Sequence, residues 1–212
     1  RRGDKVVIAQ VDAASCKIAA GNSLADDAKD DVTFDGVMAS EVGAAPTGFD
    51  EETLFMMGAL ARSCEMAGAL EVMLEISVTY SQDRVAFERP ISKFQAVQHN
   101  LARLAGEVAA AVCAASSAAD ALQRAGGFDE DVFFEIAAAK IRTGEAAGEG
   151  AGIAHQVHGA IGFTMEHILQ RYSRRVWSWR DEFGSESVWA VRLGEAVAAK
   201  GGDALWATLA SR

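Results

Sequence analysis

The chain has 212 residues, enough for one medium domain or for one domain with part of another. Half of it is apolar and 24% is charged, a globular balance that excludes disorder, collagen and low-complexity spacers. Basic residues number 20 and acidic ones 30, and the net charge of −10 repels phosphate backbones, which excludes nucleic acid as a ready partner. With only two prolines and long alanine-rich stretches, the composition favours helix. The sequence reads without an apolar run of membrane-span length and without a signal peptide at its start. Cys16, Cys64 and Cys113 are widely spaced, as reduced thiols in a cytoplasmic protein would be. Arg1-Arg2-Gly3 opens the chain without a methionine, so the whole reads as a piece of something longer.

Residues 1–46 carry strand patterns. Lys5-Val6-Val7-Ile8-Ala9-Gln10-Val11 is a short apolar run, and residues 31–38 alternate polar and apolar, with turn-forming residues between them. Two or three strands do not make a stable unit, so this part reads as the end of a larger sheet. From residue 47 the pattern turns helical. Asp50 is placed to cap a helix reaching about Gln82, with Glu51 and Glu52 in its first turn. Along it Leu54, Met57, Ala61, Cys64, Gly68 and Val72 recur at helical spacing. A turn at 84–90 leads into a second helix whose apolar stripe is Phe94, Val97, Leu101, Leu104, Val108, Val112 and Ala115. Gly126-Gly127 ends it, and Asp129 caps a third helix to about His158. A short helix over 165–177 and a last one over 185–200 follow. Long helices joined by short loops predict a mainly α, four-helix up-and-down bundle over 47–212.

The chemistry-bearing residue types give few local signals. His155 and His158 follow Glu145 and Glu149, but neither glutamate has the histidine three residues on that a di-iron bundle requires, so no metal site is assigned. There is no serine elbow, and Cys64 and Cys113 read as small buried hydrophobes. The glycine-rich turn 156–163 is either a helix C-cap or a place where backbone amides approach a ligand. Residues 171–185 gather arginines and tryptophans, fitting either a neutralised helix surface or an anion-binding interface.

Taken in order, these segments resemble the acyl-CoA dehydrogenase family. Arg84-Val85-Ala86-Phe87-Glu88-Arg89-Pro90-Ile91, followed by Phe94-Gln95, is similar to the family's "R-x-x-F-G-x-P-I…-Q" segment. Gln156 to Phe163 resembles "Q-x-x-G-G-x-G-Y", and Arg171 to Ser185 the arginine-rich helix leading to "Y-E-G-T". Asp31-Val32-Thr33-Phe34-Asp35-Gly36-Val37 resembles the last strand of the middle β-domain. The resemblance implies the end of that β-domain over 1–46 and the C-terminal helical bundle over 47–212. It also implies FAD held between subunits and oxidation of an acyl-CoA thioester, fatty-acyl or steroid side-chain, to the trans-2-enoyl-CoA. Electrons would pass to an electron-transfer flavoprotein, and the assembly would be a homo-oligomer or a heterotetramer with a homologous chain.

Carried over by position, Arg84 meets the FAD pyrophosphate of a neighbouring subunit, and Phe87, Phe94 and Gln95 line the same flavin. Gln156, Gly159 and Ala160 approach its adenosine part, while Ser185 and Ser187 stand where family hydroxyls touch FAD. The departures are as informative. The family's usual catalytic glutamate falls on Phe183, and the adjacent Glu182 would be turned by about 100° along a helix start. Some members place the base at the start of the first long bundle helix, which is Glu52 here, where the helix dipole keeps a carboxylate ionised. Glu88 and Ala160 replace glycines, and Thr53 replaces a CoA-contacting arginine. Two readings result: an acyl-CoA dehydrogenase chain using Glu52 as base, or a catalytically silent, flavin-supporting subunit of a heteromeric dehydrogenase. This fragment alone is expected to be inactive.

Overall fold

The computed structural model describes residues 6–210. Four short strands come first: β1 (Val7–Gln10), β2 (Lys17–Ala19), β3 (Asp31–Thr33) and β4 (Glu41–Ala44). β1 pairs antiparallel with β4, Val7 opposite Ala44, and β2 pairs antiparallel with β3, Lys17 opposite Thr33. These ribbons bury little, and Ile8, Ile18, Val32, Phe34 and Val42 are all exposed. The strand read over 5–11 is shorter than expected, and Lys5 lies outside the described residues. The strand read over 31–38 stops at Thr33, because the chain turns through Gly36 at φ +67°. β2 and β4 carry no pattern of their own; pairing alone makes them strands.

α1 (Glu51–Asp83) begins where the Asp50 carboxylate accepts from the Thr53 amide at 2.8 Å. The expected turn after it is a small hairpin, β5 (Val85–Ala86) with β6 (Arg89–Pro90). Phe87 and Glu88 form its tip with φ of 51° and 66°, the left-handed pair of a type I′ hairpin that glycine and asparagine favour. α2 (Gln95–Ala125) ends on left-handed Gly126, and α3 (Glu130–His158) starts with Asp129 accepting from the Val132 amide at 2.9 Å. A 3-10 turn, Gly159–Phe163, leads to α4 (Leu169–Asp181), α5 (Glu186–Lys200) and α6 (Leu205–Ala210). α4 lies four residues later at both ends than the helix expected over 165–177, and α6 was not foreseen.

α1, α2 and α3 run up, down and up, and α4 and α5 descend in succession to fill the fourth position. Near the hairpin end the core joins Met66, Leu70 and Met73 of α1 to Leu104, Val108, Ile153, Val157, Leu169 and Val176. Towards the other end it joins Met56, Leu60, Val132, Ile136 and the fully buried Trp189.

Three expectations fail here for physical reasons. The stripe read along α1 points outward: Leu54, Met57, Ala61, Cys64 and Gly68 are exposed, while Met56, Leu60, Met66, Leu70 and Met73 face the core. α1 has apolar residues around its circumference, so spacing does not choose between faces. Cys64 and Cys113 are accordingly exposed, not buried. α2, contrary to the reading of the sequence, is long and apolar enough by length and composition to cross a membrane. Much of that apolar character is alanine, which serves close helix packing, and its Arg103 and Glu107 pair with Glu149 and Arg142 of α3.

Candidate functional site

A cleft of about 580 Å³ lies between the loop 23–29 and the α1–α4 face. Its walls include Asp27, Lys29, Arg62, Trp179, Glu182 and Phe183. Ion pairs clamp the loop to α4: Arg174 reaches Asp26 at 2.6 Å and the Leu24 carbonyl at 2.8 Å, and Arg175 reaches Asp27 at 2.9 Å. Arg174 and Arg175 of the arginine-rich helix are thus neutralised by the β-side loop, and Arg180 by Glu186 of α5.

At the foot of the cleft α4 stops. Glu182 is not at a helix start; its backbone is extended, φ −72° and ψ 138°, and Phe183 follows in the left-handed region at φ 53°. The Glu182 carboxylate is held by Arg62 at 2.7 Å and by Lys29 at 3.4 Å, with the Arg62 guanidinium also over the Trp179 ring. Both carboxylates lining the cleft, Asp27 and Glu182, are therefore ion-paired. The Phe183 ring lies against Gly58 of α1, where an added Cβ would overlap the ring, nearest its Cδ1. The Phe183 carbonyl accepts from Trp189 Nε1 at 2.8 Å, which secures the strained turn.

Glu52 is exposed near the start of α1, pairs with Arg192 of α5, and is not among the residues that line the cleft. Ser185 precedes α5 without a side-chain capping bond, and Ser187 is exposed in its first turn. The other flavin-facing candidates sit elsewhere. Arg84, Phe87 and Gln95 are exposed at the hairpin end of the bundle, with Phe94 half-buried and edge-on to Phe87 at 6.2 Å. Gln156, Gly159 and Ala160 are exposed at the same end. Tyr80 joins the two groups, donating to the His158 carbonyl at 3.2 Å and stacking on its ring at 4.4 Å. From Arg62, beside the α4–α5 turn, to Arg84 the helix climbs roughly 33 Å at about 1.5 Å per residue.

The glycine turn rests on two buried histidines. His155 Nε2 bonds Ser173 Oγ at 2.8 Å, between the rings of Phe163 and Trp177, and His158 Nδ1 bonds the Ala154 carbonyl at 2.8 Å. A Cβ on Gly162 would stand 3.0 Å from His158 Cβ and 3.2 Å from His155 Nδ1, so any side chain there would push the turn and the histidines apart by a few tenths of an ångström. Burial lowers both imidazole pKa values, that of His155 further through His158 and that of His158 further through His167. Among the described residues no three His, Cys, Asp or Glu side chains gather as a metal site would require.

The sequence missed Lys29, Arg62 and Lys140, the last a fully buried cation in an alanine run of α3. A solitary lysine or arginine amid apolar helix residues is the signal that could have found the two helical ones.

Residues 50–197 match the family described as acyl-CoA dehydrogenase, C-terminal domain. The chain is 36% identical over 140 residues to the acyl-CoA dehydrogenase IpdE2 of Mycolicibacterium smegmatis, covering 63% of this chain and 40% of that protein. It therefore spans less than half the length of that relative. Among solved structures, a variant of the Tcur3481-Tcur3483 steroid ACAD superposes with TM-score 0.77 at 24% identity, over 92% of this chain and 52% of that one. The ChsE4-ChsE5 complex from Mycobacterium tuberculosis gives 0.72 at 22% identity, over 86% and 49%. At these identities the two structures establish the fold.

Proposed function

Because the chain belongs to the acyl-CoA dehydrogenase family, we propose that it is a subunit of a flavin-dependent acyl-CoA dehydrogenase that takes its base from another chain. One observation carries this reading. The position before Gly184 holds Phe183, packed on Gly58, and each carboxylate lining the cleft already has a cation. Glu182 would have to leave both Arg62 and Lys29 to accept a proton.

The residues at the hairpin end fit a dinucleotide from a neighbouring chain. Arg84 is an exposed cation for a pyrophosphate, Phe87 is an exposed ring, and the Gly159 turn leaves open space around its backbone. Ser185 and Ser187, lying roughly 30 Å away by the rise of α1, would meet a different FAD. Both groups have work only if two chains complete each site. FAD, when bound, supplies the acceptor for the β-hydrogen of the thioester, as hydride. This chain's residues hold its phosphates, cover its ring and, at the cleft, enclose an acyl group with Trp179 and Phe183. Relatives named as a steroid ACAD and as a two-component complex favour a heterotetramer and a ring-bearing acyl-CoA. An electron-transfer flavoprotein would reoxidise the flavin, in the cytoplasm.

The test is to purify the full-length parent alone and with a homologous chain. We expect flavin absorbance and acyl-CoA-dependent bleaching only in the co-purified complex; bleaching by the chain alone would overturn the reading. The second reading, with Glu52 as base, is favoured by its exposed carboxylate at the α1 N-terminus, although Glu52 too has a cation, Arg192, which is stacked on Trp189. Glu52→Gln would then abolish bleaching at unchanged flavin content, whereas under the first reading it leaves the complex active.

A further inference from the structure

Lys140 has no exposed surface, and its neighbours on α3 are mostly alanine. Its ammonium donates to the Arg180 carbonyl at 2.6 Å, in the last turn of α4, where the helix dipole favours a cation. The Arg180 guanidinium in turn holds Glu186, with Nε 2.9 Å from each carboxylate oxygen. α3 is shaped to seat this pair. A Cβ on Gly144 would meet Glu186 at 3.0 Å, and one on Gly148 would meet Arg180 at 3.2 Å. Glu186 is held below the usual carboxylate range by its hydrogen bonds to Arg180. An ammonium buried in this way is costly unless it is compensated, and here the compensation comes from the two ends of the α4–α5 turn, the Arg180 carbonyl and the charge of Glu186.

We propose that Lys140 is the positioning residue of the cleft. By gripping the Arg180 carbonyl and facing Glu186 it fixes the turn 181–185, which sets the Phe183 ring on Gly58 and keeps Glu182 within reach of Arg62 and Lys29. This rests on reading that cleft as the ligand site, yet it is tested without turnover. Neither spacing nor resemblance pointed to Lys140; the grip becomes visible only when α3 and the end of α4 are brought together.

The groups facing Lys140 are Arg180, Asp181 and Glu182 from the end of α4 and Glu186 from α5. Burial lowers its pKa from 10.5 to about 8, with the three carboxylates opposing that fall and Arg180 adding to it.

Of the four tryptophans, Trp189 bonds Phe183 and reports on the turn, Trp179 lines the cleft, and Trp177 and Trp206 lie away from both. The experiment is indole N–H exchange by nitrogen-15 NMR in the chain and in Lys140→Met, with far-UV circular dichroism alongside. Methionine removes the charge and donor while filling the space. Helix content should persist, because Glu186 keeps Arg180 as its partner when the ammonium is removed and no carboxylate is left unpaired there. Exchange at Trp189 should rise about tenfold or more as the turn opens locally, with Trp206 unchanged. A folded variant whose Trp189 exchange is unaltered overturns the proposal.

If Lys140→Met does not fold, the wild-type chain decides. The Trp189 indole signal should titrate with a midpoint near the Lys140 value while Trp206 stays flat; no titration at Trp189 between about pH 7 and pH 10 overturns the proposal. 3-Phenylpropanoyl-CoA, a ring-bearing thioester, added to the co-purified wild-type complex is a separate arm. If it leaves Trp179 unmoved while the Trp189 result holds, the cleft reading fails and the role of Lys140 in the turn stands.

Discussion

The ring of Phe183 occupies the space that a methyl group on Gly58 would need, so a residue in the α4–α5 turn and one in the second turn of α1 fix each other. This contact crosses between helices far apart in sequence and closes one side of the cleft.

Gly58→Ala should therefore destabilise the chain by about 1–3 kcal/mol, because the ring must move out of a packed position. In a Phe183→Ala background the same change should cost close to nothing, alanine being the better helix former. Urea unfolding of the four chains of this cycle measures the coupling; additive effects would mean that the ring and the glycine are energetically independent.

At the hairpin tip the strain runs the other way. Glu88 is held at φ 66°, a conformation costing a non-glycine residue roughly 1 kcal/mol. Glu88→Gly should raise stability by up to about that amount, less what glycine loses in chain entropy. A shift of the urea midpoint to higher concentration at constant slope is the expected result.

The buried histidines give stability a pH dependence of known sign. Burial holds both imidazoles below their ordinary value of 6.5, so above that value they are neutral in the folded and unfolded chain alike and the full contribution is present. As pH falls through 6.5 the unfolded chain takes up protons that the folded chain refuses, and stability is lost. Melting temperature should fall between about pH 7 and pH 5, and His155→Gln with His158→Gln should flatten that slope. An equal slope in the double variant would assign it to carboxylates.

Salt should act on the cleft wall before the bundle. The loop 23–29 is held by Arg174–Asp26, Arg175–Asp27 and Lys29–Glu182, pairs with exposed members that are each worth at most about 1 kcal/mol and are screened by ions. In about 1 M salt, where the screening length is near 3 Å, limited proteolysis should cut within 23–29 while the helices stay protected.

Much of the bundle was legible because its ends are written in local chemistry. Asp50 and Asp129 cap as expected, Gly126 closes α2 in the left-handed region, and the α2 stripe from Leu104 to Ala115 faces the core. What could not be read depends on partners far away in sequence. Nothing near Leu54 or Met57 says that they face outward, since either side of α1 is apolar enough to pack. Nothing near Lys140 says that its ammonium meets Arg180, forty residues on. The site was half legible in the same sense. The hairpin segment and the glycine turn were legible as motifs, and Tyr80 brings the turn beside the end of α1 that leads to Arg84, but the pairing of Glu182 and the lodging of Phe183 arise only from the packing of α4 on α1.

The distance between the hairpin end and the α4–α5 turn has a genetic consequence. If each chain presents two half-sites to different neighbours, lesions at Arg84 and at Ser185 damage separate halves. Two inactive alleles of that kind, expressed together, would restore some intact sites by mixed assembly, while two alleles damaged at the same end would not.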